Sequence, residues 1–243
     1  MLQIIPVIDI RGGIVVHARG GDREAYPPLQ SVLTQSTQLE TVLADLLAWY
    51  PFPQVYIADL DVIEGGDRKT AMYQSVCDRF KQTEIWLDAG IQSARDVEIY
   101  SSVENLKLVV GSETLTDIEL LADKSCRERL ILSLDRRHDQ LLGNNALLSR
   151  TDIWTQEVIL MSLDHVGTDE GPACDWLENL LKVREDISWY VAGGVRDRRD
   201  LEVIEQKGAA GALIASALHT GRINRQTIAD LMEWEHRPSS EGR

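Results

Sequence analysis

The chain has 243 residues, and 25 Lys and Arg against 39 Asp and Glu leave a formal net charge of −14 and a pI near 4.8. A field of that sign repels nucleic acid and anionic membrane at long range, which excludes both as primary partners. Hydrophobic content of 44% is ordinary for a globular chain, no run reaches the roughly 18 apolar residues of a spanning helix, and the start reads as no signal peptide.

Short apolar runs alternate with longer amphipathic stretches, the pattern of βα units around a parallel sheet. The first strand is expected at Gln3–Ile10, with Gly12-Gly13 as a turn in a β-rich excursion and a helix at Leu39–Trp49. Strands follow at Gln54–Asp61, Glu84–Asp88 and Leu106–Val110, with helices at Lys69–Phe80, Ala94–Tyr100 and Leu115–Asp123. The fifth strand is read at Leu130–Asp135, with a turn at Gly143-Asn144-Asn145 and only a weak helix at Arg150–Thr155. Strands at Val158–Asp164, Ser188–Ala192 and Ala210–Ala215 complete eight, with helices at Cys174–Arg184, Arg198–Lys207 and Thr227–Glu235. Strict alternation over residues 1–235 favours an α/β fold, a single (β/α)8 TIM barrel, and the polar tail 236–243 is expected to fray. Three widely spaced cysteines, Cys77, Cys126 and Cys174, fit reduced thiols in a cytoplasmic protein; metal: none is the reading from their spacing.

The chain also repeats itself. At an offset of 104 residues Gly90, Arg95, Asp96 and Glu98 meet Gly194, Arg199, Asp200 and Glu202, and Val109-Val110-Gly111-Ser112 meets Leu213-Ile214-Ala215-Ser216. Self-similarity at a fixed spacing predicts two (β/α)4 half-barrel repeats, with equivalent loops facing each other across the mouth.

Working residues of such barrels lie at the C-terminal ends of the strands. Asp9 ends the first strand and Asp135 the fifth, equivalent places in the two halves, where a tuned carboxylate can move a proton. A strand-end Asp can equally bond a loop, and the other carboxylates of this rim are expected to be structural or, for Asp59 and Asp164, substrate-orienting. Gly193 and Gly194 after strand seven, with Ala215 and Ser216 after strand eight, stand where this architecture holds phosphate on backbone N–H groups. Gly90, Gly111 and Ser112 repeat that arrangement in the first half, which suggests a second anion site; tight turns needing small residues are the alternative. His17, Arg19 and Arg23 lie in the long first loop and could reach a substrate, and His165 follows strand six. No Walker loop, Gly-x-Gly-x-x-Gly or Ser-His-Asp order is present.

Ile4-Ile5-Pro6-Val7-Ile8-Asp9, Ala58-Asp59-Leu60-Asp61, Ser133-Leu134-Asp135, Gly167-Thr168 with Gly171-Pro172, and Ala192-Gly193-Gly194-Val195 together carry a likeness over nearly the whole chain. On these the chain resembles the barrel family of histidine biosynthesis, which holds the phosphoribosylformimino-aminoimidazole carboxamide ribotide isomerase (HisA) and a related cyclase (HisF). The resemblance implies a substrate phosphorylated at both ends. It also implies a cofactor-free Amadori rearrangement, with Asp9 as the base. Three departures stand against a plain transfer. Val166 replaces the acid that precedes Gly-Thr, Met161 replaces a Thr, and Asp88-Ala89-Gly90 replaces three glycines and puts a negative charge where a phosphate would sit. The first loop, Arg23-Glu24-x-Tyr26-x-Pro28, is closer to a divergent branch of which some members accompany genes for methanopterin-type one-carbon cofactors. The expectation is therefore an isomerase-like enzyme or lyase moving protons on a phosphorylated small-molecule substrate. An authentic histidine-pathway isomerase, a non-catalytic phosphate-binding or partner-binding barrel, and a lyase reusing Asp88 as the missing acid stay open.

Overall fold

The computed structural model describes residues 1–18, 23–166, 171–172 and 174–232. Its eight parallel strands are β1 (Gln3–Arg11), β2 (Gln54–Asp59), β3 (Glu84–Asp88), β4 (Leu106–Gly111), β5 (Leu130–Arg137), β6 (Glu157–Ser162), β7 (Ser188–Ala192) and β8 (Gly211–Ile214). Each pairs with the next, and β8 pairs back onto β1, with Gln3 opposite Gly211 and Pro6 opposite Ile214. The result is the closed (β/α)8 barrel read from the alternation. No helix among the described residues is long and apolar enough to cross a membrane.

The strands are buried on both faces, and the two faces have different tasks. One residue from each strand, Ile5, Tyr56, Trp86, Val109, Ile131, Ile159, Tyr190 and Leu213, fills the barrel interior. Trp86 and Tyr190 meet edge to face there, with centroids 4.9 Å apart. The alternate residues, such as Ile4, Ile57, Leu87, Leu132 and Val191, pack against the helices. The helix Leu39–Trp49 shows why: Leu39, Val42, Leu43 and Leu46 recur at helical spacing and are buried. Below the aromatic layer Lys107 pairs with Glu157 and Glu84, which closes the bottom of the barrel with a compensated charge.

The self-similar segments lie four strands apart on this ring, and they make the same bond. Asp96 accepts the Gln92 amide at 2.9 Å and Asp200 accepts the Arg196 amide at 2.8 Å.

Several boundaries shift for local reasons. β2 was expected to run to Asp61 but stops at Asp59, whose side chain accepts the Val62 amide and starts a helical turn at Leu60–Ile63. β6 stops at Ser162 and tightens into a 3-10 turn at Leu163–His165. The fourth helix is a 3-10 segment, Ile118–Ala122, and the fifth is two short turns, Ala146–Ser149 and Thr151–Ile153. Gly12-Gly13 does turn β1 back onto the short strand Ile14–Val16. The matching excursion after β5 turns instead at His138-Asp139, both at positive φ, and Gly143 is needed for close packing on the Ser112 carbonyl. The tail 236–243 lies outside the described residues.

Candidate active site at the barrel mouth

The strand register decides which rim residues meet. Paired positions of parallel strands face the same way, and Asp9, Ala58 and Asp88 are partners across β1, β2 and β3. Two carboxylates therefore stand in one row, with a methyl group between them. At about 4.8 Å per strand their Cα atoms are roughly 10 Å apart. Tyr56, one inward step below Ala58, donates its hydroxyl to Asp88 Oδ2 at 3.1 Å, and Asp88 Oδ1 accepts the Gly90 amide at 3.2 Å. Asp135, across the barrel on β5, is 7% exposed and accepts from Ser133 Oγ at 2.6 Å, the Glu113 amide at 3.2 Å and Ser112 Oγ at 3.4 Å.

Burial pushes all three carboxyls up: Asp9 and Asp135 to about 7 and Asp88 to about 6. For Asp9 the Arg23 guanidinium opposes burial and the Asp88 charge adds to it. For Asp88 the bonds from Gly90 and Tyr56 oppose burial. A carboxyl poised near 7 can both take and return a proton at neutral pH.

Beside this row a cleft opens, about 880 Å3 counting its open mouth, a size suited to a small metabolite. Asp9, Tyr56 and Ala58 line it from β1 and β2; Gly193, Gly194, Ala215, Ser216 and Arg222 line it from the ends of β7 and β8. Met161 and Val166 make the side between them apolar, and Arg23 and Tyr26 reach in from the first loop. That loop is tied down on both flanks. His17 Nε2 shares a 2.8 Å hydrogen bond with Ser216 Oγ, and Arg23 pairs with Glu113 at 2.8 Å.

Gly193 and Gly194 sit at φ +95° and +80° and pack tightly: a Cβ on Gly193 would lie 2.4 Å from the Ser162 carbonyl and one on Gly194 2.3 Å from the Gly171 carbonyl. Their counterparts in the first half are arranged differently. The Gly90 amide serves Asp88, a Cβ on Gly111 would touch Asp135 Oδ2 at 3.0 Å, and Ser112 is fully buried, with its Oγ accepting the Asp135 amide at 2.9 Å.

Asp59 does not orient a substrate, because it is fully buried. Both its oxygens are taken by Tyr73 Oη at 2.6 Å, Lys69 Nζ at 3.2 Å and the Val62 amide. Asp164 is turned to the β5 loop, accepting the His138 amide and pairing with its ring at 3.2 Å. His165 Nδ1 bonds Ser162 Oγ at 2.6 Å. Arg19, Gly167 and Thr168 lie outside the described residues. The sequence reading passed over Tyr56 and Arg222. Inward alternation from Ala58 would have found Tyr56; nothing local marks Arg222.

The model of a family described as histidine biosynthesis protein matches residues 3–224. An uncharacterized protein of Methanocaldococcus jannaschii is 32% identical over 93% of this chain and 97% of its own length. Phosphoribosyl imidazole-4-carboxamide isomerases of Clostridium botulinum and a Thermoanaerobacter species are each 24% identical, over 91% and 95% of this chain and 93% and 100% of theirs.

Proposed function

We propose that this chain, which belongs to the histidine biosynthesis protein family, is a cofactor-free acid–base catalyst acting on a phosphorylated, sugar-like metabolite. The observation that carries this reading is the lining of the cleft, where Asp9 from β1 shares one cavity with Gly193, Gly194, Ser216 and Arg222 from the ends of β7 and β8. A phosphate anchored by Gly193, Gly194, Ala215 and Ser216, with Arg222 supplying charge, would hold the rest of the ligand over Asp9.

The family reaction, an aldose–ketose isomerisation of the Amadori type, fits these parts. A base removes a proton next to a carbon–nitrogen double bond, and an acid protonates the departing ring oxygen. Asp9 is the base in this reading and Asp135 the second carboxylate, both near 7. Among the described residues Met161, Leu163 and Val166 give the cleft an apolar β6 side, and this reading assigns both transfers to β1, β3 and β5. That shift argues for a substrate other than the histidine-pathway one, and a place in methanopterin-type one-carbon cofactor metabolism belongs to the same reading.

Two experiments test it. A histidine auxotroph lacking the isomerase should fail to grow on this gene, and robust growth would return the chain to the histidine pathway. Asp9→Asn should abolish the function of the gene in its own cell. Survival of that function would leave a ligand-binding barrel that turns nothing over.

A further inference from the structure

The loops after β3 and β4, which lie at the barrel mouth beyond the cleft's own lining, have few donors left for a ligand. A phosphate needs hydrogen-bond donors, and backbone groups can be accounted for one by one. At the β3–β4 end the Gly90 amide is given to Asp88, and the Ser112 amide to the Ser133 carbonyl at 2.8 Å. The Glu113 amide goes to Asp135, and the Thr114 and Leu115 amides both go to the Gly111 carbonyl. Arg68, a side-chain cation at that loop, is turned to the Ala89 carbonyl at 2.8 Å and to Asp96 at 2.7 Å. Ile63 Cα would lie 2.9 Å from a Cβ on Gly90, so the loop is packed closely on the turn Leu60–Ile63. The chain's own carboxylates thus stand where a second anion would have to go. Arg23, the cation that reaches this end from the first loop, is committed to Glu113.

We infer that Asp88 limits the ligand of this cleft to a single phosphate, held at the β7–β8 end, with hydroxyl or amine donors at the other. The inference rests on the phosphorylated-ligand reading of the site. Asp88 is the specificity-determining residue because its Oδ1 takes the amide a phosphate would need, and its charge repels a phosphate brought near. Asp9 and the Tyr56 oxygen, whose proton goes to Asp88, are acceptors lining the cleft, and they suit a sugar hydroxyl or an amine. The groups that face Asp88 are Asp9 on β1, Tyr56 on β2, Glu113 after β4, Asp135 on β5 and Arg23 from the first loop. Three of these five are carboxyls against one guanidinium, so their sum disfavours a second anion.

Calorimetric titration of the full chain with ribose 5-phosphate and with ribose 1,5-bisphosphate tests this. The monophosphate should bind, and the bisphosphate should bind at least about tenfold more weakly, as expected of a like charge close by. Asp88→Gly should free the Gly90 amide and narrow or reverse that gap, and Asp88→Asn, which keeps the shape and removes the charge, should narrow it. Bisphosphate binding as tight as the monophosphate in the wild type overturns the inference alone. A gap unmoved in both variants, folded by circular dichroism, also overturns it, because the gap then reports the overall charge of the chain. If neither sugar phosphate binds, the phosphorylated-ligand reading falls and takes the inference with it.

Discussion

Asp9 and Asp135 reach the same value, about 7, by different routes. For Asp9 burial outweighs the pull of Arg23, while for Asp135 it outweighs a short bond from Ser133. Either way, each carboxyl holds a proton more tightly folded than unfolded, where its value is near 3.8. Between pH 4 and 7 the native state therefore binds more protons than the unfolded state, and each group subtracts stability as the pH rises through that window. Below pH 4 the penalty is absent, and above 7 it is constant. Asp9→Asn should then raise stability by about 1–3 kcal/mol at pH 8 and change it little at pH 4. Chemical denaturation at the two pH values checks this. Equal effects at both would mean that Asp9 is not held protonated by its surroundings.

At the scale of the element, Asp59 shows how one carboxylate shapes a strand end. It terminates β2, starts the helical turn Leu60–Ile63 and anchors Lys69 and Tyr73 at the head of the helix Thr70–Arg79. Asp59→Ala would strand the buried Tyr73 hydroxyl and one Lys69 contact. The expected cost is about 2–3 kcal/mol, moderated because Lys69 is 30% exposed and keeps Asp61 at 3.0 Å. Ribose 5-phosphate affinity should be unchanged; a variant of normal stability with lost binding would restore Asp59 to the site. In the sequence Asp59 and Asp61 look alike, since residues two apart share a face of a continuing strand and the strand's end at Asp59 is not marked. The eight strands, the strand-end Asp9 and the paired glycines were legible because they depend on local pattern alone. Tyr56 lies in the run Val55–Ala58, buried throughout, where only its alternation with Ala58 marks it, and Arg222 lines the cleft from beyond β8. The glycines after β3 and β4 are harder to read from sequence. Gly90 and Gly111 mark close approach, but of Ile63 and Asp135, and only the folded loops show which group approaches.

For the whole molecule, the closed sheet concentrates acids at one rim of a chain that already carries a net charge of −14. Self-repulsion of that size opposes compactness at any pH well above the pI of 4.8 and is screened by salt. Salt also weakens exposed ion pairs, which pulls the other way. Each such pair, Arg79 with Glu40 or Arg150 with Glu119, contributes little because its charges stay in water. The pairs that tie the mouth together, Arg23–Glu113 and Arg68–Asp96, are less exposed and less easily screened. The field should therefore win. Raising NaCl from about 20 to 200 mM at pH 8 should increase the melting temperature by roughly 2–4 °C, equivalent to about 1 kcal/mol for a domain of this size. The same titration near pH 4.8, where the net charge vanishes, should leave it almost unmoved. A melting temperature that falls with salt at pH 8 would mean that local pairing across the mouth, and not the overall charge, sets the electrostatic stability of the barrel.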